Sequence, residues 1–109
     1  MIAPQSLQPA QTLVSCDQRF TLIEQATDGN LVVYEGSTAL WSASTSGHAG
    51  AYAVMQGDGN FVVYDGGTAL WSSQTSGNPG AWLAMQTDGN LVVYSASNVA
   101  LWSSGTGGH

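Results

Sequence analysis

Basic side chains are almost missing from this chain of 109 residues: Arg19 is the one Lys or Arg, set against seven Asp and Glu, for a formal net charge of −6. A phosphate backbone is held by several Lys or Arg, and anionic membranes attract clusters of them, so nucleic-acid binding and membrane attraction are excluded. Charge of either sign is scarce too, at 7% against about 25% in an ordinary globular domain. The water-facing surface must therefore be built of hydroxyls, amides and backbone. Cysteine is reduced to Cys16, which leaves no intramolecular disulfide and no need of an oxidising compartment for folding. A buried free thiol is expected there. Long apolar runs are lacking as well: none approaches the roughly 20 residues that cross a bilayer, so no membrane insertion is expected. Met1-Ile2-Ala3-Pro4 has neither a basic n-region nor an apolar h-region. The chain reads as soluble and either already processed, hence extracellular, or leaderless and cytoplasmic.

What is present is Gly (14), Ser and Thr in quantity, with 4 Trp, 4 Tyr, 2 Phe and repeated Val-Val pairs. Disordered chains are short of aromatic and β-branched residues, so this composition describes an ordered β protein with an uncharged skin. Self-comparison finds a repeat. Asp28-Gly29-Asn30-Leu31-Val32-Val33-Tyr34, Asp58-Gly59-Asn60-Phe61-Val62-Val63-Tyr64 and Asp88-Gly89-Asn90-Leu91-Val92-Val93-Tyr94 lie 30 residues apart. Each is followed by a block ending in Leu-Trp-Ser, at Trp41, Trp71 and Trp102, and the third Trp comes one residue late, through an insertion around Ser95 to Asn98. Thr45-Ser46-Gly47, Thr75-Ser76-Gly77 and Thr106-Gly107-Gly108 close the units.

Within a unit, Asp-Gly between two short apolar stretches is a hairpin signal, because Gly accepts the positive φ of a tight turn. Glu35-Gly36-Ser37 and Asp65-Gly66-Gly67 mark the next turn. No segment carries a 3.6-residue apolar period. The chain is read as all-β: one domain over residues 1–109 with repeats at about 20–49, 50–79 and 80–109, each of about three strands, and an N-terminal piece from Leu7 to Leu13 that adds a further strand. One small sheet cannot bury enough alone. Three of them around a pseudo-threefold axis can, with Trp41, Trp71 and Trp102 filling it at on the order of 200 Å² each. Trp82, whose counterparts are Tyr52 and Leu22, stands outside that triplet and is placed at a surface.

Along a strand, side chains alternate between faces. Phe61 and Val63 make an apolar face directed to the core. The opposite face carries Asn60, Val62 and Tyr64, continued across the turn by Gln56 and Asp58. A carboxylate, two amides and a phenol thus surround an aliphatic side chain. That suits a sugar, whose hydroxyls donate and accept while its C–H face is apolar. Asp and Asn could serve only the turn, through bonds to backbone. Turn service gives no reason for Gln56 and Tyr64 to recur at the same offsets.

Gln-x-Asp-x-Asn-x-Val-x-Tyr, present in spaced copies over nearly the whole chain, resembles the signature of the monocot mannose-binding bulb lectins, the snowdrop agglutinin family. The resemblance implies a β-prism II fold of three antiparallel four-stranded sheets, with mannose held by no metal or other cofactor. It implies that Asp and Asn bind the 2-hydroxyl, Gln the 3-hydroxyl and Tyr the 4-hydroxyl, with Val against the ring carbons. Carried over, Gln56, Asp58, Asn60, Val62 and Tyr64 form one mannose site and Gln86, Asp88, Asn90, Val92 and Tyr94 another. The first copy keeps Asp28, Asn30, Val32 and Tyr34 but has Ala26 at the Gln position, with Gln25 one residue early and on the opposite strand face. It is expected to be weakened or silent unless a neighbouring side chain substitutes. Family members usually carry a disulfide whose positions fall at Gly29 and Ala51, neither of them Cys. The resemblance further implies a homodimer that exchanges C-terminal strands, here residues 100–105.

Catalysis finds no support. His48 lies in an expected turn and His109 at the end of the chain, Asp28, Asp58 and Asp88 are assigned to three different sheets, and no triad, zinc cluster, phosphate loop or calcium loop is present. The chain is therefore read as a mannose-specific lectin that uses several shallow sites on mannose-rich glycans. The alternative is a prism whose sugar sites have decayed and which acts by protein–protein contact.

Overall fold

The computed structural model of the chain describes residues 5–108. The readings of the first four residues and of His109 lie outside them. Among the described residues there are eleven strands and no helix: β1 (Gln5–Leu7), β2 (Thr12–Val14), β3 (Phe20–Glu24), β4 (Leu31–Glu35), β5 (Thr38–Ser42), β6 (Tyr52–Met55), β7 (Phe61–Asp65), β8 (Thr68–Ser72), β9 (Trp82–Met85), β10 (Leu91–Tyr94) and β11 (Ala100–Ser103). They form three antiparallel sheets, ordered β2-β3-β4-β5, β1-β6-β7-β8 and β11-β10-β9.

Two of the sheets have the expected four strands and the third has three. The N-terminal piece explains the difference. It does not run as one strand from Leu7 to Leu13 but is broken by a turn in which the Gln11 N–H donates to the Gln8 carbonyl at 2.9 Å and Ala10 takes φ 71°. The strand before the turn pairs with β6 and the one after it with β3, and among the described residues nothing pairs with the outer edge of β9.

Strands β3, β6 and β9 show strict in-and-out alternation. Their inner residues meet Leu31, Val33, Phe61, Val63, Leu91 and Val93 in one core. On the inner faces of β5, β8 and β11, Trp41, Trp71 and Trp102 lie across from Val33, Val63 and Val93. Their rings meet edge to face around a common centre, with centroids 5.2–5.3 Å apart and planes at 67–69°. Aromatic quadrupoles favour this arrangement over flat stacking. The molecule measures 36 × 34 × 18 Å, a short prism whose walls are the three sheets.

Two side chains stand out, Cys16 against expectation and Glu24 by its chemistry. Cys16 is exposed, not buried, because it sits in the turn between β2 and β3, whose polar groups are used locally: the Ser15 hydroxyl donates to Asp17 at 2.7 Å. Glu24, in contrast, is fully buried with neither carboxylate oxygen hydrogen-bonded. The β-ladders show that it stands where β6 and β9 have Met55 and Met85.

Candidate functional site

Each repeat places its motif on the outer wall, around the turn between the first two strands of its unit. In the second repeat the Gln56 N–H donates to the Asn60 carbonyl at 2.9 Å and the Gly59 N–H to the Gln56 carbonyl at 3.0 Å, closing the hairpin. Gly59 takes φ +92°, and a Cβ there would lie 2.2 Å from the Asn78 carbonyl oxygen, so the turn admits no larger residue. That carbonyl belongs to the loop beyond β8, which folds back over the turn through Asn78 N–H to Asp58 carbonyl at 3.0 Å.

The five motif side chains of this copy converge. Asp58 accepts from the Asn60 N–H through Oδ1 at 3.0 Å, and its exposed carboxylate leaves Oδ2 to solvent. Asn60 Oδ1 accepts from the Thr75 N–H at 3.2 Å and from the Ser73 hydroxyl at 3.3 Å, which aims the amide and keeps its Nδ2 for an outside acceptor. Gln56 Nε2 donates to Tyr64 Oη, leaving the amide oxygen to accept and the phenol to donate its own proton. Val62 lies between them, only 2% exposed, so it is a floor rather than a projecting apolar patch. The third copy repeats this arrangement: Asp88 to Asn90 at 2.9 Å, Asn90 held by Thr106 at 3.3 Å and Ser104 at 3.2 Å, Gln86 donating to Tyr94, and Val92 as floor. Turn service and an outward-facing polar ring therefore coexist, because one oxygen of each Asp and Asn serves the fold and the other polar atom does not.

The Ser and Thr that hold Asn60 and Asn90 were not singled out from sequence as part of the site. Their signal was the recurring block after each Trp, whose threonines also donate to the glycine carbonyls of the turns, Thr75 to Gly59 and Thr106 to Gly89, both at 2.6 Å.

The first copy differs in a way the sequence alignment misjudged. Gln25 is not on the opposite face. Its N–H donates to the Asn30 carbonyl at 2.9 Å, as Gln56 and Gln86 do to Asn60 and Asn90, and its side chain reaches Tyr34. The extra residue between Gln25 and Asp28 is absorbed in the turn, where the Gly29 N–H bonds back four residues to Gln25 instead of three. So Gln25 takes the place assigned to Ala26, beside Asp28, Asn30, Val32 and Tyr34. The wider turn brings Asp28 inward. With its amide oriented to satisfy both neighbours, Gln25 accepts from Tyr34 Oη at 2.5 Å and donates to Asp28 Oδ1 and Oδ2 at 2.9 and 3.2 Å. Ala43 also replaces the serine found at Ser73 and Ser104, and Thr45 alone holds Asn30.

Gly29 and Ala51 are adjacent, as the family disulfide would require: a Cβ on Gly29 would lie 3.2 Å from that of Ala51, but also 1.9 Å from the His48 carbonyl oxygen. Among the described residues no three His, Cys, Asp or Glu side chains are grouped to hold a metal ion.

The all-β frame of three antiparallel sheets matches solved lectins. A lectin from Gastrodia elata, described as a monomeric monocot mannose-binding lectin, is 36% identical with a TM-score of 0.90 over 98% of this chain and 96% of its own. The Marasmius oreades lectin is 32% identical at 0.89, over 97% and 89%. The mannose-specific agglutinin of snowdrop, Galanthus nivalis, solved with methyl-α-D-mannoside, is 32% identical at 0.80, over 87% of each chain. No family model and no curated protein sequence matches. The class is thereby defined: a carbohydrate-binding lectin with a β-prism frame, and not an enzyme. Within that class the chain belongs to the family of monocot mannose-binding bulb lectins.

Proposed function

We propose that the chain binds mannose within mannose-rich glycans through two outer-wall sites, Gln56, Asp58, Asn60, Val62 and Tyr64, and Gln86, Asp88, Asn90, Val92 and Tyr94. The third set, Asp28, Asn30, Val32 and Tyr34 with Gln25, is weaker. The observation that supports this reading most is the pair of copies in which an outward carboxylate oxygen, an aimed amide and a Gln–Tyr pair surround a buried valine. In the first copy the Gln25 amide already occupies the carboxylate that a sugar hydroxyl would need. The frame is read as a β-prism II, a single domain with repeats at about 20–49, 50–79 and 80–109.

A single shallow sugar site binds near millimolar, about 4 kcal/mol, so useful recognition comes from several sites engaging one branched glycan. A homodimer that exchanges residues 100–105 belongs to the same reading: the register of β11 on β10 would then be made between two chains. A monomer mass in light scattering at micromolar concentration removes the dimer and leaves the state described for the Gastrodia elata protein.

The test is retention on a mannose resin and release by free mannose. The parent chain is retained, and the double variant Asp58→Ala, Asp88→Ala flows through. A parent that flows through defeats the reading and favours decayed sites acting by protein contact.

A further inference from the structure

The loops that close the three motif copies share one shape. Thr45, Thr75 and Thr106 each donate the backbone N–H to Oδ1 of the motif Asn, at 2.9, 3.2 and 3.3 Å, and the hydroxyl to the Gly29, Gly59 and Gly89 carbonyls, at 2.8, 2.6 and 2.6 Å. Two residues on, Gly47, Gly77 and Gly108 take φ +86°, +86° and +90°. Between these matched points lie Ser46, Ser76 and Gly107, all exposed. The side chain changes there although the backbone does not. Gly107 itself lies outside the positive-φ region, so the fold makes no demand for glycine at that place.

What stands at this position borders the site. A Cβ on Gly107 would lie 3.3 Å from Asp88 Oδ2, 3.4 Å from Asn90 Cβ and 3.7 Å from Asn90 Cγ. Oδ2 is the carboxylate oxygen left open by the bond from the Asn90 N–H, which uses Oδ1 at 2.9 Å. A ligand hydroxyl held by Oδ2 therefore passes beside residue 107, which offers no side chain. In the second copy the same backbone carries the Ser76 Cβ and its hydroxyl to the corresponding side of Asp58 and Asn60, where the Asn60 N–H again uses Oδ1. One motif carboxylate is thus flanked and the other is open on that side. In the first copy Ser46 holds the same place, but Gln25 already occupies the carboxylate. The second and third copies are the pair that isolates this position.

Resting on the mannose reading above, we propose that the residue after the closing threonine sets the bulk each site tolerates: Ser76 excludes from the second copy a mannose whose attached group lies over the carboxylate side, and Gly107 lets the third copy admit it. Specificity of this kind comes from a clash built against one ligand, with no contact added for the other. The two sites then bind the bare sugar alike and differ in the glycan linkages they accept.

The test uses the full chain with Asp88→Ala, which isolates the second copy, or with Asp58→Ala, which isolates the third. Each is titrated calorimetrically with methyl α-mannoside and with the α-mannobiosides joined through the 2-, 3-, 4- and 6-hydroxyls. Methyl α-mannoside is expected to bind the two copies within about twofold of each other. Relative to it, at least one bioside is expected to bind the second copy roughly tenfold more weakly than the third, the scale on which a site rejects one extra carbon-sized group. Ser76→Gly should lift that penalty from the second copy and Gly107→Ser should impose it on the third, each leaving methyl α-mannoside affinity within about twofold. Ser76→Gly only removes atoms from an exposed side chain, so it carries the test without any risk of a new clash. The proposal is overturned if all the biosides keep the same ratio to methyl α-mannoside at both copies, or if a difference exists that Ser76→Gly does not move. Failure of both copies to bind methyl α-mannoside at all defeats the mannose reading itself, a result distinct from either.

Discussion

Glu24 is the residue least suited to its place. Its carboxyl is sealed in the core with no hydrogen-bond partner, and burial, reinforced by the nearby Asp28 charge, pushes its pKa up from 4.5 to about 8. Folding therefore favours the protonated form. No penalty applies below pH 4.5, where the unfolded chain is protonated too. Between pH 4.5 and about 8 stability falls as pH rises, with a limiting slope of about 1.4 kcal/mol per pH unit, and above about 8 the loss is complete. Glu24→Met, which installs the residue of the two equivalent positions, removes this slope. Chemical denaturation at pH 5, 7 and 9 should show the variant more stable by a margin that widens with pH to a few kcal/mol. A constant margin would mean that the carboxyl is not the cause. Asp58→Ala and Asp88→Ala should each remove one of two strong sites in a mannose titration while leaving the melting temperature nearly unchanged. Asp28→Ala should leave the count of strong sites at two.

The turn between the first two strands of each unit differs between the copies in how it places the motif carboxylate. Gln56-Gly57-Asp58 and Gln86-Thr87-Asp88 close with a bond from residue i+3 back to residue i, whereas Gln25-Ala26-Thr27-Asp28 closes from i+4 and folds its carboxylate onto its own glutamine. Deleting Ala26 leaves Gln25-Thr27-Asp28-Gly29-Asn30, the same residues as the third copy. The deletion should release Asp28 and raise the number of mannose sites per chain from two to three, as counted by calorimetric titration. A count that stays at two assigns the weakness to Ala43 instead. Gly59→Ala should cost about 1–3 kcal/mol in chemical denaturation, since a Cβ there is both at positive φ and against the Asn78 carbonyl. At this scale the sequence was readable wherever one residue type answers one local demand. Asp-Gly marked the hairpins, alternation marked the core face of Phe61 and Val63, and the 30-residue spacing aligned Asp28, Asp58 and Asp88. It was unreadable where the outcome depends on non-local geometry. The one-residue insertion before Asp28 makes counting put Gln25 on the wrong face, because face assignment by counting assumes an unchanged turn. The outer strands went to two sheets because a turn at residues 8–11 divides a segment that carries no Gly to announce it, Ala10 taking the positive φ instead. Glu24, next to Gln25 at a strand end, reads as a surface residue until the insertion is placed and it aligns with Met55 and Met85.

At the scale of the whole molecule, the sites and the core are kept apart. Motif side chains occupy the outer walls, while the three sheets are joined through Trp41, Trp71 and Trp102, each ring edge-on to the other two. Removing one indole takes away its buried area and two aromatic contacts at once, and the neighbouring sheets cannot collapse into the space without breaking the threefold arrangement. Trp71→Ala should therefore cost about 3–5 kcal/mol. That is a large share of the 5–15 kcal/mol typical of a small domain, and corresponds to a fall of more than about 10 °C in melting temperature. Since the three rings are related by the pseudo-threefold axis, Trp41→Ala and Trp102→Ala should cost about the same. Trp82→Ala, on an outer wall and stacked on one tyrosine only, should cost markedly less. At temperatures where each variant stays folded, methyl α-mannoside affinity should match the parent, because no central Trp reaches a site face. Melting curves for the four variants, each paired with a titration well below its midpoint, check both halves of the argument. A central-Trp variant that melts like the parent would show that the sheets are held by something other than the triplet. One that stays folded but loses mannose binding would show that the walls and the axis are coupled.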